Sequence, residues 1–139
     1  MTEPLIRARG LTKTYGDFIA VDGIDFDVAK GESFGLLGPN GAGKSTTMRI
    51  IGATSVRTSG TLTILGKDPE VNGPQIRAHL GVVPQQDNLD NELTVSENIY
   101  IYGRYFGLSS SFINKKIPEL LEFAQLEEKK DVKAQALSG

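Results

Sequence analysis

The residues with the clearest chemical potential are nine consecutive positions, 38–46, which read Gly-Pro-Asn-Gly-Ala-Gly-Lys-Ser-Thr. They match the phosphate-binding pattern G-x-x-x-x-G-K-[ST] without a mismatch. The glycines let the backbone turn sharply and approach a ligand without a Cβ in the way. Successive backbone N–H groups then form a concavity for anionic oxygens, and a following helix adds its unpaired N–H groups and its dipole. We call residues 38–46 the phosphate loop.

Three side chains of the phosphate loop have predicted roles. Lys44 is expected to reach the β- and γ-phosphates, the Ser45 hydroxyl to ligate Mg²⁺, and Thr46 to hydrogen-bond a phosphate oxygen. The default ligand is a nucleoside triphosphate with Mg²⁺. A glycine-rich turn that binds nothing is the alternative, but it does not account for the Lys-Ser pair. The loop residues predicted to bind the nucleotide are Gly38, Asn40, Gly41, Ala42, Gly43, Lys44, Ser45 and Thr46.

The segments beside the phosphate loop must position it. The apolar stretch 33–37 predicts a buried strand, and 44–53 predicts a helix. Upstream, 5–15, 18–21 and 24–28 predict an antiparallel β region with a turn at Asp22-Gly23. Tyr15 lies in this region, either as a rim aromatic or as a stacking platform for a nucleobase.

Downstream of the loop, 61–65 predicts a strand, 67–69 a turn, 75–80 a short helix and 81–83 an apolar strand. His79 is interpreted as a partly exposed helical histidine rather than a ligand. Gln85 follows the 81–83 strand. Ligands gather at the carboxyl ends of strands in α/β sheets, which favours a contact of Gln85 with Mg²⁺ or with a water.

The last third of the chain predicts helices. Thr94 and Glu97 have capping-box spacing, and the helix they open is expected to run to about Phe106. Its aromatic residues form either helical core or a docking surface. Residues 109–111 are expected to cap a further helix, which Pro118 should kink or interrupt.

Composition restricts the class of protein. The chain has 139 residues, 39% of them hydrophobic and 23% charged, which is typical of one soluble globular domain. A net charge of −2 without a basic run argues against nucleic acid as a partner. The absence of cysteine excludes disulfides and thiolate metal sites. Without a signal pattern or a membrane-length apolar run, the protein is expected in the cytoplasm or on the cytoplasmic side of a membrane.

These motifs together resemble the first part of an ABC transporter nucleotide-binding domain. Tyr15 matches the family's adenine-stacking position, the phosphate loop its Walker A motif, and Gln85 the glutamine of its Q-loop. Leu137-Ser138-Gly139 looks like the opening of the LSGGQ signature. The residue sequences of the phosphate loop and of 93–98 resemble those of exporters of the drug-resistance and nodulation-factor type. The rest of the signature, Walker B, the catalytic glutamate and the switch histidine are missing, as in a truncated chain.

The resemblance implies an α/β fold of the P-loop NTPase type with an incomplete sheet. It divides the chain into an antiparallel β region (1–32), a Walker A to Q-loop core (33–86) and the start of a helical subdomain (87–139). It implies an ATP hydrolase that drives transport, with ATP and Mg²⁺ as cofactors and a peripheral place on the inner face of the membrane. The partners would be a transmembrane permease subunit and a second nucleotide-binding domain. Ser138 and Gly139 would contact the partner's ATP.

Two other functions are weighed against the transporter. One is an ABC-type ATPase without a membrane partner, such as a translation or repair factor, which a docking surface beside the Q-loop would distinguish. The other is a different P-loop enzyme. A GTPase should show Asn-Lys-x-Asp, but the nearest match, 114–117, lacks the aspartate, and a kinase is not expected to end on Leu-Ser-Gly. Without the Walker B half, this chain alone is expected to be inactive.

Overall fold

The computed structural model describes residues 3–86 and 88–137, which form two compact units that divide between Val82 and Val83. Each unit is described here by itself. The first contains β1 (Ile6–Tyr15), β2 (Phe18–Val28), α1 (Lys44–Ile51), β3 (Ser59–Ile64) and α2 (Pro69–Arg77). The second contains α3 (Val95–Tyr105), α4 (Ser110–Ala124) and two 3₁₀ turns, Glu127–Lys129 and Ala134–Ala136.

The first unit is built on a three-stranded antiparallel sheet in the order β2-β1-β3. One face of β1 and β3 is buried, and there it meets one residue from each helix. This places α1, whose first three residues are the last three of the phosphate loop, on the hydrophobic core. A register shift after Ala8 interrupts the strict alternation of β1, so Leu11 is buried on the same face. The fully buried core residues are Ala8, Leu11, Ile50, Leu62, Ile64 and Ile76.

The predicted turn at Asp22-Gly23 is wrong, because β2 runs through it as one strand of 11 residues. The pairing of β1 with β2 shifts register between Leu11 and Lys13, opposite this dipeptide. Gly23 has φ +58°, and its N–H donates to the Thr12 hydroxyl at 3.1 Å. A left-handed glycine absorbs the extra residue of a β-bulge, so the chain bends without leaving the ladder.

The two apolar segments predicted as buried strands, 33–37 and 81–83, are not strands in the structure. Leu37 and Val83 are each 96% exposed, although Phe34 stacks on Phe26 with ring centroids 5.4 Å apart. Among residues 3–86 and 88–137, neither segment pairs with another strand. A strand depends on a ladder partner, so an apolar sequence alone leaves these segments without regular secondary structure and largely exposed.

The second helix begins earlier than predicted. Asp68 is the N-cap of α2, its carboxylate accepts from Glu70 N at 2.9 Å, and Pro69 takes the first helical position. The expected turn at 67–69 is therefore a helix start. The prediction that His79 is helical is wrong, because it lies in a turn beyond the end of α2; it is exposed, with its Nδ1 2.8 Å from Gln75 O.

An ion pair fixes the start of α2 to the segment before β3. Arg57 donates to both Asp68 oxygens at 3.0 and 2.8 Å and also lies 3.2 Å from the Glu70 carboxylate. The hydrogen bond from Arg57 lowers the pKa of Asp68, and the same bond raises the pKa of Arg57. At its other end α2 is tied to the loop after α1, because Arg77 donates to Ala53 O at 2.8 Å.

The second unit confirms the predicted helix starts. Thr94 Oγ1 accepts from Glu97 N at 3.2 Å and Glu97 accepts from Thr94 N at 2.8 Å, a complete capping box. The hydrogen bond from the Thr94 backbone N–H to the Glu97 carboxylate lowers the pKa of Glu97. Ser109 caps α4, as expected. Of the two alternatives for Pro118, the interruption is wrong, because α4 continues through it as one helix of 15 residues.

The helices α3 and α4 meet at a glycine. A Cβ at Gly103 would lie 2.7 Å from Ile113 Cγ1, so only glycine permits this helix contact. Beside it the two helices border an apolar groove of about 640 Å³ whose walls include Phe106, Phe112 and Leu121. In the part of the chain that the structure describes, no helix has the length and apolarity to cross a bilayer.

Candidate phosphate-binding site

The phosphate loop follows segment 33–37, which is neither helix nor strand, and its last three residues form the first turn of α1. Ala42 N donates to Pro39 O at 3.2 Å, which forms a turn within the loop. Gly41 and Gly43 adopt φ values of +85° and +88°, a region that favours glycine. The motif residues therefore adopt a backbone that other residue types would strain.

Two features require a glycine at position 43, its positive φ and its contact with the neighbouring strand β2. A Cβ at this position would collide with the carbonyl oxygen of Ala20 on β2 and approach Val21 Cγ2 at 3.2 Å. Gly43 is also the N-cap of α1, and its carbonyl accepts from the Thr47 N–H and from the Thr47 hydroxyl, both at 2.9 Å. Thr47 is buried, so the loop is attached to the core at the point where α1 starts.

The side chain of Lys44 lies across its own loop. Its Nζ donates to the carbonyls of Gly38 and, at 2.8 Å, of Pro39. The ammonium group therefore stands over the loop, where anionic oxygens held by the N–H groups would meet it.

One pocket of about 210 Å³ opens over this loop. None of its lining residues is acidic, and the first turn of α1 contains no acidic residue either. Unpaired N–H groups at the start of a helix together with a lysine favour an anion there. The volume is below the range usual for whole small-molecule ligands, roughly 300–1,000 Å³, and suits a phosphate chain. The lining residues are Phe18, Ala20, Asn40, Gly41, Gly43, Lys44, Ser45 and Thr46.

The structure brings six of the predicted site residues to this pocket, and two further loop residues, Gly38 and Ala42, lie in the loop outside its lining. Tyr15 does not line the pocket. Its ring is 48% exposed, and Lys13 Nζ lies 4.9 Å from the ring centroid. Gln85 belongs to the second unit, where it is exposed in a bend. Ser138 and Gly139 lie outside the described residues.

The sequence analysis missed Phe18 and Ala20, which contribute the β2 wall of the pocket. Phe18 is the cross-strand partner of Tyr15 at the hairpin between β1 and β2 and is 59% exposed. The available signal was an aromatic residue in a short predicted strand next to the Tyr15-Gly16 turn. Its approach to the phosphate loop depends on pairing across the sheet.

The residues present fit a nucleoside triphosphate with Mg²⁺. The pocket is free of carboxylates and has a lysine, two hydroxyl side chains and a glycine backbone open to a ligand. A bound Mg²⁺ would neutralise charge on the phosphates and bridge their oxygens. Ser45 supplies a hydroxyl for that ion, Thr46 a hydroxyl for a phosphate oxygen, and Lys44 a cation. All three project from the first turn of α1.

Residues 21–139 match a protein family model described as ABC transporter. A curated relative, the Nod factor export ATP-binding protein I of Ralstonia nicotianae, is 50% identical over 136 residues, which are 98% of this chain and 42% of the relative. The predicted similarity to exporters of the nodulation-factor type is thereby confirmed. The chain spans less than half the length of this relative.

Solved structures with the same fold are also similar. The cbiO1 protein of Clostridium perfringens, described as part of the ABC transporter complex cbiONQ, is 25% identical with a TM-score of 0.84, over 99% of this chain and 57% of that chain. A dimeric ATP-binding cassette bound to ADP and Pi is 29% identical with a TM-score of 0.79, over 96% of this chain and 63% of that one. These similarities confirm the predicted α/β fold of the P-loop NTPase type with an incomplete sheet, and the chain belongs to the ABC transporter family.

Proposed function

We propose that the phosphate loop binds ATP with Mg²⁺, and that in the intact protein ATP hydrolysis there drives transport of a substrate across a membrane. The observation that carries the proposal is the single pocket formed by Gly41, Gly43, Lys44, Ser45 and Thr46 at the start of α1. Relatives named for Nod factor export and for a transporter complex support the transport part. They make an ABC-type ATPase without a membrane partner the less favoured alternative.

The test of nucleotide binding is a titration of the chain with a fluorescent ATP analogue. Lys44→Ala should weaken binding at least about tenfold, because a hydrogen bond from a charged group contributes about 1.5–3 kcal/mol. Arg49→Ala is the matched control, since Arg49 is an exposed cation on α1 outside the pocket. Equal affinity of Lys44→Ala and the unmodified chain would contradict the proposal.

Lys44 also donates hydrogen bonds to two carbonyls of its own loop, so Lys44→Ala removes bonds within the loop as well as the contact with the ligand. A second variant distinguishes these two effects. Ser45→Ala removes an exposed hydroxyl for which the structure shows no hydrogen bond among the described residues. If Ser45 ligates Mg²⁺, this variant should weaken binding in the presence of Mg²⁺ and leave binding in EDTA unchanged. An equal loss in both conditions would contradict the metal role.

We propose that the membrane partner docks on the surface from Gln86 to Phe106. In support, this surface contains the segment 88–93 and the exposed tyrosines of α3, Tyr102 and Tyr105. These 139 residues contain no cysteine, so Asp90→Cys gives a unique cross-linking position within them. Products with a cytoplasmic loop of a transmembrane subunit are expected. Products with nucleic acid or ribosomal protein would favour the soluble alternative.

Several further assignments complete the proposal. Tyr15 stacks on the adenine, and Gln85 contacts Mg²⁺ or a water. Ser138 and Gly139 contact ATP bound to a second nucleotide-binding domain, most simply a second copy of the protein. The dimeric ATP-binding cassette bound to ADP and Pi supports such pairing. The protein would then be held at the inner face of the membrane by its permease. The three-part division at residues 32 and 86 also stays a prediction.

We propose that the 139-residue chain by itself does not turn over ATP. Hydrolysis needs a base within hydrogen-bond reach of the attacking water, and no aspartate or glutamate lines the pocket in the described residues. The exposed segments 33–37 and 81–83 should also promote self-association, because backbone without a strand partner in the described residues, with apolar side chains, can pair with strands of other chains.

A further inference from the structure

Among the described residues, Phe18 is the one aromatic side chain that lines the pocket over the phosphate loop. It is the first residue of β2 and is 59% exposed. Of the other lining residues, Ala20 also belongs to β2 and all the rest belong to the loop. The two side chains that β2 contributes are therefore apolar, whereas the loop contributes Lys44 and the hydroxyl groups.

The strand pairing places Phe18 between the phosphate loop and Tyr15. On the loop side, Ala20 lies two residues along β2 and approaches the loop so closely that a Cβ at Gly43 would collide with its carbonyl oxygen. On the other side, Phe18 pairs directly with Tyr15 of β1. Residues directly opposite each other in an antiparallel pair share one face of the sheet, with Cβ atoms about 4.5–5.5 Å apart. The order along the sheet is therefore loop, Ala20, Phe18 and Tyr15.

A nucleoside triphosphate has its chemical groups in a matching order along its length. The pocket of about 210 Å³ suits the phosphates, so the nucleoside must lie outside it. If Tyr15 stacks on the base, the sugar lies between the base and the phosphates, and Phe18 is the residue at that point. One face of the Tyr15 ring has Lys13 Nζ 4.9 Å from its centroid, but Phe18 has no aromatic or cationic contact among the described residues. The Phe18 ring is therefore open to a ligand.

We propose that Phe18 packs against the ribose of the bound nucleotide and thereby makes the site select a nucleoside triphosphate over an inorganic polyphosphate. This inference rests on the proposed function, in which the phosphate loop binds ATP. The loop makes the same contacts with both ligands, because both present a phosphate chain to its N–H groups and to Lys44. Only the nucleotide extends to β2, where it covers the apolar face of the ring. The selectivity therefore depends on Phe18 and not on the loop.

The first measurement is competition against a fluorescent ATP analogue in the presence of Mg²⁺, which gives inhibition constants for ATP and for inorganic tripolyphosphate. Phe18→Ala should weaken ATP binding at least about fivefold, the lower end of the effect of removing an aromatic contact to a nucleotide, and leave tripolyphosphate binding unchanged. Phe18→Tyr keeps the ring and should retain the affinity for ATP. Ile19→Ala is the matched control, because Ile19 is the next residue of β2, is 54% exposed and does not line the pocket. Both constants should stay unchanged in this control.

Two outcomes of this measurement would overturn the inference. One is an unchanged affinity for ATP in Phe18→Ala. The other is an equal loss for both ligands, because Phe18 would then act by shaping the loop. Lys44→Ala distinguishes these outcomes from a failure of the proposed function, since it should weaken the binding of both ligands. If the unmodified chain binds neither ligand, or if Lys44→Ala weakens neither, the proposed function fails and this inference fails with it.

A second measurement locates the contact on the nucleotide. In a deuterated chain with protonated phenylalanine, saturation of the phenylalanine ring protons should transfer magnetisation to the ribose protons of bound ATP. Phe18→Ala should abolish this transfer, and Ile19→Ala should leave it unchanged. Transfer to the adenine protons alone, or transfer to the ribose that persists in Phe18→Ala, would overturn the placement of Phe18 at the sugar.

Discussion

Replacement of Gly43 by alanine tests whether the conformation of the phosphate loop and its contact with β2 are both required. Gly43 has φ +88°, where a Cβ costs roughly 1–2 kcal/mol. The new Cβ would also collide with Ala20 O and crowd Val21, and such overpacking costs typically about 1–3 kcal/mol more. The expected loss of unfolding free energy is therefore about 2–5 kcal/mol, against a total of about 5–15 kcal/mol for a typical protein.

Gly41 provides the matched control. Its φ of +85° is almost the same, but a Cβ there has no heavy atom within 4 Å. Gly41→Ala should therefore cost only the conformational part, about 1–2 kcal/mol. Urea unfolding followed by circular dichroism gives both values as shifts of the midpoint at constant slope. Equal midpoints for the two variants would refute the idea that β2 restricts the loop at Gly43.

Three further outcomes are expected from the described contacts. Asp68→Asn should make the free energy of unfolding depend less on pH in the acid range. The hydrogen bond from Arg57 lowers the pKa of Asp68 in the folded state, so this carboxylate stabilises the fold above about pH 4, and the stabilisation is lost as pH falls through the lowered pKa. Unfolding midpoints from pH 2 to 6 measure this, and parallel profiles would contradict it. Thr94→Ala should cost about 1 kcal/mol by removing the cap of α3, measured by urea unfolding, whereas no shift would contradict the capping account. The 139-residue chain with ATP and Mg²⁺ should release no phosphate and should elute as oligomers in light-scattering chromatography. A monodisperse monomer with phosphate release that Lys44→Ala abolishes would be the opposite result.

The sequence by itself determined the features whose physics is local. The phosphate loop, the capping box of Thr94 with Glu97 and the cap at Ser109 all lie within a few residues of the groups they bind. The same holds for the segments 5–15 and 61–65, which predict β1 and β3. The family could also be recognised from sequence, because its motifs are short and their order along the chain is preserved.

The tertiary structure decided everything that requires a partner from elsewhere in the chain. Apolar residues at 33–37 satisfy the pattern of a buried strand, but among the described residues they have no neighbouring strand and remain exposed. Gly23 follows an aspartate, a sequence typical of turns, but pairing with β1 places it at a bulge within the single strand β2. Phe18 reaches the phosphate pocket, and Ala20 restricts Gly43, only because β2 passes beside the loop. A strand ladder, a steric collision and a pocket wall each require two segments of the chain, so the sequence of one segment alone does not predict them.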